Sequence, residues 1–251
     1  MKISIITVVY NGARHILTAI NSVLSQNYPD IEYIVVDGGS TDGTVDIVNE
    51  YLDRISIFIS EPDVGIFDAM NKGVEMASGE IIGILNSDDF YVNNEVIDLV
   101  IQEFNNKDVD SVFADLVYVK ANNFNKTVRY YDSGQFKPYL FAYGLTPAHP
   151  TFFVKRIIYE KYGKYRIDMK NAADYELLVR FLYVNQVTYH YINKVIVKMR
   201  MGGASTTFKL SSVWTNNIEI VKACRTNGIK TNILIILTRY FFKLISFLKK
   251  P

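Results

Sequence analysis

The stretch GEIIGILNSDDFY, residues 79–91, runs through aliphatic residues and then stops at Asn86, Ser87, Asp88 and Asp89. Neighbouring carboxylates repel each other, so two adjacent acids at that point need a reason. One reason is local: Asp and Asn favour turns and helix starts, where their oxygens accept from free backbone amides. The other is chemical: hard divalent cations take oxygen ligands, which acids at a strand end can supply. Two further stretches gather polar groups. VVDGGSTDGT, residues 35–44, places Asp37, Gly39 and Ser40 where a strand gives way to a helix. Small residues there admit close backbone approach, and helix-start amides suit an anion or the polar edge of a ring. Capping by Ser40 or Asp42 would account for the same residues. EPDVGIFDAMNKG, residues 61–73, brings together Asp63, Asp68, Asn71 and Lys72. The last three share a helical face by their spacing, although Asp68 with Lys72 is also an ordinary surface pair.

The elements that must position these residues follow from the hydrophobic pattern. Between residues 2 and 86, short β-rich runs (ISIITVV, IEYIVVD, ISIFIS, EIIGIL) alternate with amphipathic segments that begin near Arg14, Asp42 and Gly65. Such alternation implies a mostly parallel sheet covered on both faces. Ligands of such sheets gather at the carboxyl ends of the strands. Those ends are Tyr10-Asn11, residues 37–40, residues 61–63 and residues 86–89, all polar. Further on, the pattern predicts a helix over 93–106, two strands in SVFADLVYV and KTVRYYD, and an irregular aromatic stretch, QFKPYLFAYGLTPAHPTFF, read as a pocket wall or lid. A helix over 172–185, a strand over 187–199, a glycine loop at 202–205 and terminal helices complete the chain.

Composition bounds the partners. A chain of 251 residues with 49% apolar residues can bury a full core. Its 27 basic and 26 acidic residues leave a formal charge of +1, so no global field argues for nucleic acid. Cys224 is the one cysteine and forms no internal disulfide, which suits a reducing compartment. The run at the N-terminus is too short for a signal-peptide core, and the protein is read as not secreted.

TVVYNG, VVDGGSTDGT, GIFDAMNKG, SGEIIGILNSDD and AADYELLVR, in this order, resemble glycosyltransferase family 2, the inverting enzymes of the GT-A fold, over roughly residues 2–205. AMNKG followed by LNSDD is similar to the bacterial branch that builds O-antigen and capsule repeats. The resemblance implies an α/β fold of GT-A type, Rossmann-like, with a mixed, mostly parallel sheet flanked by helices and with C-terminal helices. It implies transfer of a sugar from a nucleotide sugar, a UDP-sugar first, to a saccharide acceptor linked to undecaprenyl diphosphate. It also implies a divalent cation, Mn2+ or Mg2+, at Asp88, because a departing diphosphate develops charge that a hard cation neutralises. Asn86 stands where many relatives carry the first acid of an Asp-x-Asp pattern, so that ligand is weakened and Asn86 is left to ribose or water. Asp89 becomes a support for the ligand or a cap.

Thr7, Tyr10, Asn11 and Asp37 match the family's nucleoside pocket. Gly39, Ser40, Asp63, Asn71, Lys72 and Ser87 join them, Lys72 being suited to phosphate charge. The chain reads Asp37-Gly38-Gly39-Ser40 where relatives often read Asp-Asp-Gly-Ser. The acid missing at 38 usually meets the base edge, which puts the uracil contact in doubt. Inversion needs a base for the acceptor hydroxyl, and Asp174 in AADYELLVR matches it; an acid in a first helical turn is also favoured by the helix dipole alone. Arg180 is structural or acceptor-facing. His149 is a packed residue or a contact to acceptor or diphosphate, and one histidine makes no metal site by itself. Gly202, Gly203 and Ser205 form a simple turn or a loop that closes on the donor.

The tail ILIILTRYFFKLISFLKKP is interrupted by Arg239 and Lys243 before the ~20 apolar residues that a membrane span requires. Arg239, Lys243, Ser246 and Lys250 make a polar stripe on a helix otherwise apolar, the pattern of a helix lying in a bilayer surface. Packing on the core or on a second subunit, as in a homodimer, is the alternative. The expected organisation is a catalytic region over 1–207, with a nucleotide-sugar half to about residue 90 and an acceptor half over 91–207, followed by a helical segment over 208–251. The expected location is the inner face of the cell membrane, on the cytoplasmic side. An inactive nucleotide-sugar-binding module is the competing function. A dehydrogenase would need a glycine-rich loop after the first strand, where TVVYNG stands instead.

Overall fold

The computed structural model describes residues 1–201 and 210–241, apart from the side chains of residues 210 and 211. Gly202, Gly203 and Ser205 of the expected loop, and Lys243, Ser246 and Lys250 of the expected stripe, lie outside the described residues.

The first half follows the hydrophobic pattern closely. Strands β1 (Ile3–Val9), β2 (Ile31–Asp37), β3 (Ile57–Ser60) and β4 (Ile81–Ile84) alternate with helices α1 (Ile16–Leu24), α2 (Thr44–Asn49) and α3 (Ile66–Met76). The four strands lie parallel in the order β3-β2-β1-β4. Their near-continuous aliphatic runs are what burial on both faces demands. Ile6, Val8, Ile34 and Val36 pack under α3 through Phe67, Met70 and Val74. The alternate residues Ile3, Ile5, Val9 and Val35 meet Ile16, Ile20 and Val23 of α1 and Val48 of α2. The period-two alternation of a strand thus serves both layers.

The second half is less regular. It contains β5 (Asp89–Tyr91), α4 (Val96–Asn106), β6 (Ser111–Lys120), β7 (Asn123–Tyr131), β8 (Phe153–Lys155), α5 (Arg156–Tyr162) and α6 (Ala173–Leu178), the last continuing as a π-helical segment, Val179–Val184. After β9 (Tyr189–Arg200) come α7 (Leu210–Thr226) and α8 (Ile233–Leu237). The sheet continues from β4 as β8-β6-β9-β5, with β7 on β6. Strand β8 is antiparallel to both β4 and β6, whereas β6 and β9 run parallel. The sheet is therefore parallel through β4 and mixed beyond it. Strands β5 and β8 have three residues each, too few to show a hydrophobic period.

Two sequence expectations are corrected here. The aromatic stretch is mostly core: Phe136, Phe141, Phe152 and Phe153 are buried, and Phe136 meets Phe141 with ring centroids 5.0 Å apart. Only Tyr139 and Tyr143 remain exposed among its large rings. Arg239 does not belong to an outward polar stripe. It is 5% exposed, lies against Gly144, where a Cβ would come within 3.1 Å of its Cδ, and sits over the Tyr240 ring at 5.2 Å. Ile220, Ala223 and Cys224 of α7 and Ile236 of α8 join the same core as α3 and α6. Among the described residues, no helix is long and apolar enough to cross a membrane.

At the edge of the sheet opposite the polar strand ends, Glu32 is buried and accepts from Lys2 Nζ at 2.6 Å, Ser4 Oγ at 2.6 Å, and Ser78 N and Oγ at 2.7 and 2.6 Å. Burial alone would raise its pKa, but these hydrogen bonds outweigh it and hold the carboxyl at about 2, below its ordinary 4.5. A depressed folded pKa contributes stability that is complete above the unfolded value and lost as pH falls towards the folded one. Glu32→Gln is expected to cost about 2 kcal/mol at neutral pH. The gap from wild type should narrow as thermal melts are taken below pH 4.5.

Candidate active site

The four parallel strands end at one edge, and their loops interlock there. Asn11, with φ of 48°, donates its backbone N–H to Ser40 Oγ at 2.7 Å and accepts from the Thr41 N–H through Oδ1 at 2.9 Å. Asn tolerates this left-handed backbone better than most residues. Gly12 N–H donates to Thr44 Oγ1 at 2.9 Å, and Ala13 N–H to Asp42 Oδ2 at 3.0 Å. A Cβ on Gly12 would lie 3.4 Å from Ser87 Oγ. The loop after β1 is thus seated between the loop after β2 and the end of β4. Tyr10 projects from it, 66% exposed.

Three residues expected against a nucleoside turn their polar atoms inward. Asp37 is 0% exposed and accepts from the backbone of Gly39 and Ser40 and from the hydroxyls of Ser40 and Ser60. A fully enclosed carboxylate with four donors clamps the loop. Thr7 is buried and its Oγ1 accepts from Tyr33 OH at 3.2 Å. Asn71 bonds both backbone groups of Tyr165, at 2.8 Å each, tying α3 to the second half of the chain. Lys72 is engaged at the β3–α3 junction: Nζ lies 2.8 Å from Glu61 Oε1, 3.0 Å from Pro62 O and 3.9 Å from Asp68 Oδ2. Asp63 is half-buried beside it.

The two acids separate in role. No helix starts at Asp89, so the cap reading fails: Asp89 opens β5 opposite Met199, and α4 begins only at Val96. Asp89 is 1% exposed and accepts from Asn86 Nδ2 at 3.1 Å. Burial, and then the charge of Asp88, push its pKa well up. Asp88 is half-buried; burial raises its pKa too, while the charge of Arg200 opposes the rise. Among the described residues, Asn86 Oδ1 and Asp89 Oδ1 are buried without a hydrogen-bond partner.

Arg200 is the residue that sequence reasoning missed. It is 5% exposed, stacked on Phe124 at 4.4 Å and Phe90 at 5.6 Å, and its Nη1 donates to His15 Nδ1 at 3.0 Å. Among the described residues its Nε and Nη2 are buried without partners. His15 accepts at Nδ1 and is therefore neutral; burial, then Arg200 and Arg14, lower its pKa. Arg200 reaches the acids through the β5–β9 pairing, and β5, with three residues, is too short to leave a sequence pattern. A lone arginine after a strand has no pattern of its own.

In the second half, Asp174 is half-buried in the first turn of α6, and its Oδ1 accepts from the Tyr175 N–H at 2.7 Å. Its charge acts on His149, Tyr165 and Tyr131. His149 is buried with Nε2 2.8 Å from Tyr165 OH, and burial lowers its pKa, so it is a neutral packed residue, not an exposed lid contact. Arg180 is engaged within the chain. Its guanidinium donates to the carbonyls of Tyr162, Gly163 and Lys164 and pairs with buried Glu176, Nη2 to Oε2 at 3.0 Å.

Residues 4–163 match the family model described as Glycosyl transferase family 2. The chain belongs to glycosyltransferase family 2. It is 33% identical over 211 residues to an uncharacterized glycosyltransferase of Rickettsia typhi, across 82% of this chain and 65% of that protein. It is 29% identical over 226 residues to the hyaluronan synthase of Pasteurella multocida, across 87% of this chain and 22% of the synthase. The chain thus spans less than two thirds of the length of these relatives. Among solved structures it resembles S. aureus TarS 1–349 in complex with UDP-GlcNAc, with TM-score 0.71 and 19% identity over 96% of this chain and 73% of that one. It also resembles the mannosyltransferase PcManGT from Pyrobaculum calidifontis in complex with GDP-Man and Mn2+, with TM-score 0.68 and 18% identity over 98% and 73%. These likenesses show a GT-A fold.

The family 2 chain offers a partial ligand set for a divalent cation. Among the described residues, no group of three His, Cys, Asp or Glu side chains could enclose a metal. The Asp88 carboxylate and the unpartnered Asn86 Oδ1 and Asp89 Oδ1 are all oxygens, which fits a hard ion that shares its shell with ligand and water. A closed protein cage is absent from this set.

Proposed function

We propose that this family 2 chain transfers a sugar, with inversion, from a nucleotide sugar, most simply a UDP-sugar, to a saccharide hydroxyl. The observation that carries the reading is the meeting, at one carboxyl edge, of an exposed ring (Tyr10), a half-buried acid (Asp88) and a buried arginine with two orphaned donors (Arg200). Those groups suit a base, a cation site and a diphosphate in turn. A ring face supports stacking. A guanidinium with free N–H groups suits phosphate oxygens, and leaving it unpaired in a buried site is costly.

Asp88, with Asn86 Oδ1, would hold a divalent cation such as Mn2+ or Mg2+, which when bound neutralises charge on the departing diphosphate. Arg200 would donate Nε and Nη2 to the same diphosphate. Asp174 would take the proton of the acceptor hydroxyl as its oxygen bonds to the anomeric carbon; the bond from that carbon to the diphosphate breaks, and the electron pair leaves with the diphosphate. The nucleotide-sugar half to about residue 90 and the acceptor half over 91–207 are the matching division. A lipid-linked saccharide of undecaprenyl-diphosphate type is the acceptor of choice, in O-antigen or capsule assembly on the cytoplasmic side of the membrane. Exposed Leu234 and Phe241 support contact with such a surface. The relatives named as hyaluronan synthase and chondroitin synthase support polysaccharide building as the setting.

The test is release of nucleoside diphosphate from a panel of UDP- and GDP-sugars, with Mn2+ and saccharide acceptors. Acceptor-dependent release supports the reading; tight UDP binding with no turnover of any donor favours an inactive binding module. Within this reading Tyr10 and Asp37 should separate in a paired measurement of nucleotide affinity and melting temperature. Tyr10→Ala should weaken binding by roughly 10-fold with little change in stability, from the loss of one stacking face. Asp37→Ala should lower affinity and melting temperature together, because it strands four donors.

A further inference from the structure

Position 38 carries no side chain, and the space one would fill is taken. A Cβ on Gly38 would lie 2.3 Å from Asp63 Oδ2 and 3.0 Å from its Cγ. A side chain at 38 would therefore push the Asp63 carboxylate out of this position. They meet because β2 and β3 are parallel neighbours, paired from Ile34 opposite Ile57 to Asp37 opposite Ser60, and Glu61 N–H extends the pairing to Asp37 O at 3.0 Å. Asp63 is fixed in place by the Gly65 N–H, which donates to Oδ1 at 2.8 Å. Its Oδ2 receives no hydrogen bond among the described residues, and the side chain is half-buried.

On the other flank of Gly38 stands β1. Gly38 N–H donates to Val9 O at 2.9 Å, which sets Tyr10, with its exposed ring, one strand away from Asp63. A ring for the face of a heterocycle and a fixed carboxylate for its edge thus border one glycine. An ionised carboxylate only accepts hydrogen bonds. It suits the N3–H of uracil or the N1–H of guanine, and it opposes the lone pair that cytosine and adenine carry at the corresponding ring nitrogen.

We propose that Asp63 reads the ring N–H of a keto base in the donor, supplying from the loop after β3 the carboxylate that position 38 lacks. This rests on the nucleotide-sugar reading above. Gly38 is then a requirement of the site, since any side chain there would displace the reader.

The experiment is calorimetric titration of UDP, GDP and CDP, with Mn2+ present, into the full chain and its variants. UDP and CDP share ribose and diphosphate, so their affinity ratio isolates the base edge, and GDP against UDP tells which keto base is preferred. Wild type should favour one keto nucleotide over CDP by roughly 10- to 100-fold, the worth of a hydrogen bond to a charged group. In Asp63→Ala that ratio should collapse to within a few-fold of one. In Gly38→Asp/Asp63→Gly, which returns a carboxylate from the neighbouring strand end, it should recover. A loop-packing role for Asp63 would weaken all three nucleotides alike and leave the ratio standing, and that result overturns the proposal. So does a double variant that discriminates no better than Asp63→Ala. Failure of wild type to bind any of the three would instead defeat the donor reading, and this inference with it.

Discussion

Asp174→Asn is expected to lower turnover by about 10²- to 10⁴-fold while donor affinity stays within a few-fold of wild type, the usual span for removing a positioned base, the role proposed for Asp174. The substitution keeps shape and the oxygen that accepts from the Tyr175 N–H, so the first turn of α6 should hold. What it removes is the ability to take a proton. The side chain is half-buried beside Tyr131, Tyr165 and His149; the two tyrosines are protonated near neutral pH, and His149 is buried with its Nε2 held by Tyr165 OH. Burial raises the pKa of both tyrosines and lowers that of His149, so the tyrosines stay protonated and the imidazole stays tied to Tyr165 OH. Initial-rate measurements at saturating donor and acceptor, with a separate nucleotide titration, check the split. Full turnover in the variant would remove Asp174 from the mechanism.

Arg200→Ala is expected to weaken the proposed UDP binding by roughly 10- to 100-fold, the loss of charge-assisted hydrogen bonds to a diphosphate. The physical ground is the pair of buried, unpartnered nitrogens, Nε and Nη2, beside the two acids. Burial lowers the pKa of Arg200 while Asp88 and Asp89 raise it, so its cost of burial is met only in part inside the chain. Because the guanidinium also stacks on Phe124 and Phe90, the alanine variant will lose some packing. Arg200→Lys separates the two effects: it keeps a charge and most of the apolar stem but loses the planar fork. Titration of UDP and of uridine should show a large loss for the diphosphate in both variants and little for the nucleoside. Equal losses for the two ligands would assign Arg200 to packing alone.

How far the site could be read from sequence depended on strand length and on which way polar atoms turn. Strands β1 and β2 stood out because each has seven residues of aliphatic pattern, so the edge holding Tyr10, Asn11 and Ser40 was visible. The mixed, mostly parallel sheet was expected, but strands β5 and β8 have three residues and leave no period, so the point where the sheet turns antiparallel was hidden, and with it the route that brings Arg200 to Asp89. Residue type does not show which bonds a polar group makes within the fold. Asp37, Thr7, Asn71 and Arg180 have the chemistry of ligand contacts and also bond the Ser40 turn, Tyr33, the Tyr165 backbone and the carbonyls after α5. His149, read from its place between two prolines as either packed or ligand-facing, has its ring against Tyr165. Aromatic content alone could not tell a lid from a core, and Phe136 and Phe141 proved to be core.

The central claim is that Asp88 marks a cation-dependent site for a nucleoside diphosphate. The most direct measurement is the melting temperature of the protein with UDP, in Mn2+ and in chelator, for wild type and Asp88→Ala. A ligand at about 100 times its dissociation constant stabilises by about 2.7 kcal/mol, which for a chain of this size is a rise of about 5 to 11 °C. The account predicts that rise for wild type in Mn2+, a much smaller one in chelator, and little difference between the two conditions for Asp88→Ala. An equal rise with and without Mn2+, or an Asp88→Ala response as large and as metal-dependent as that of wild type, would contradict it.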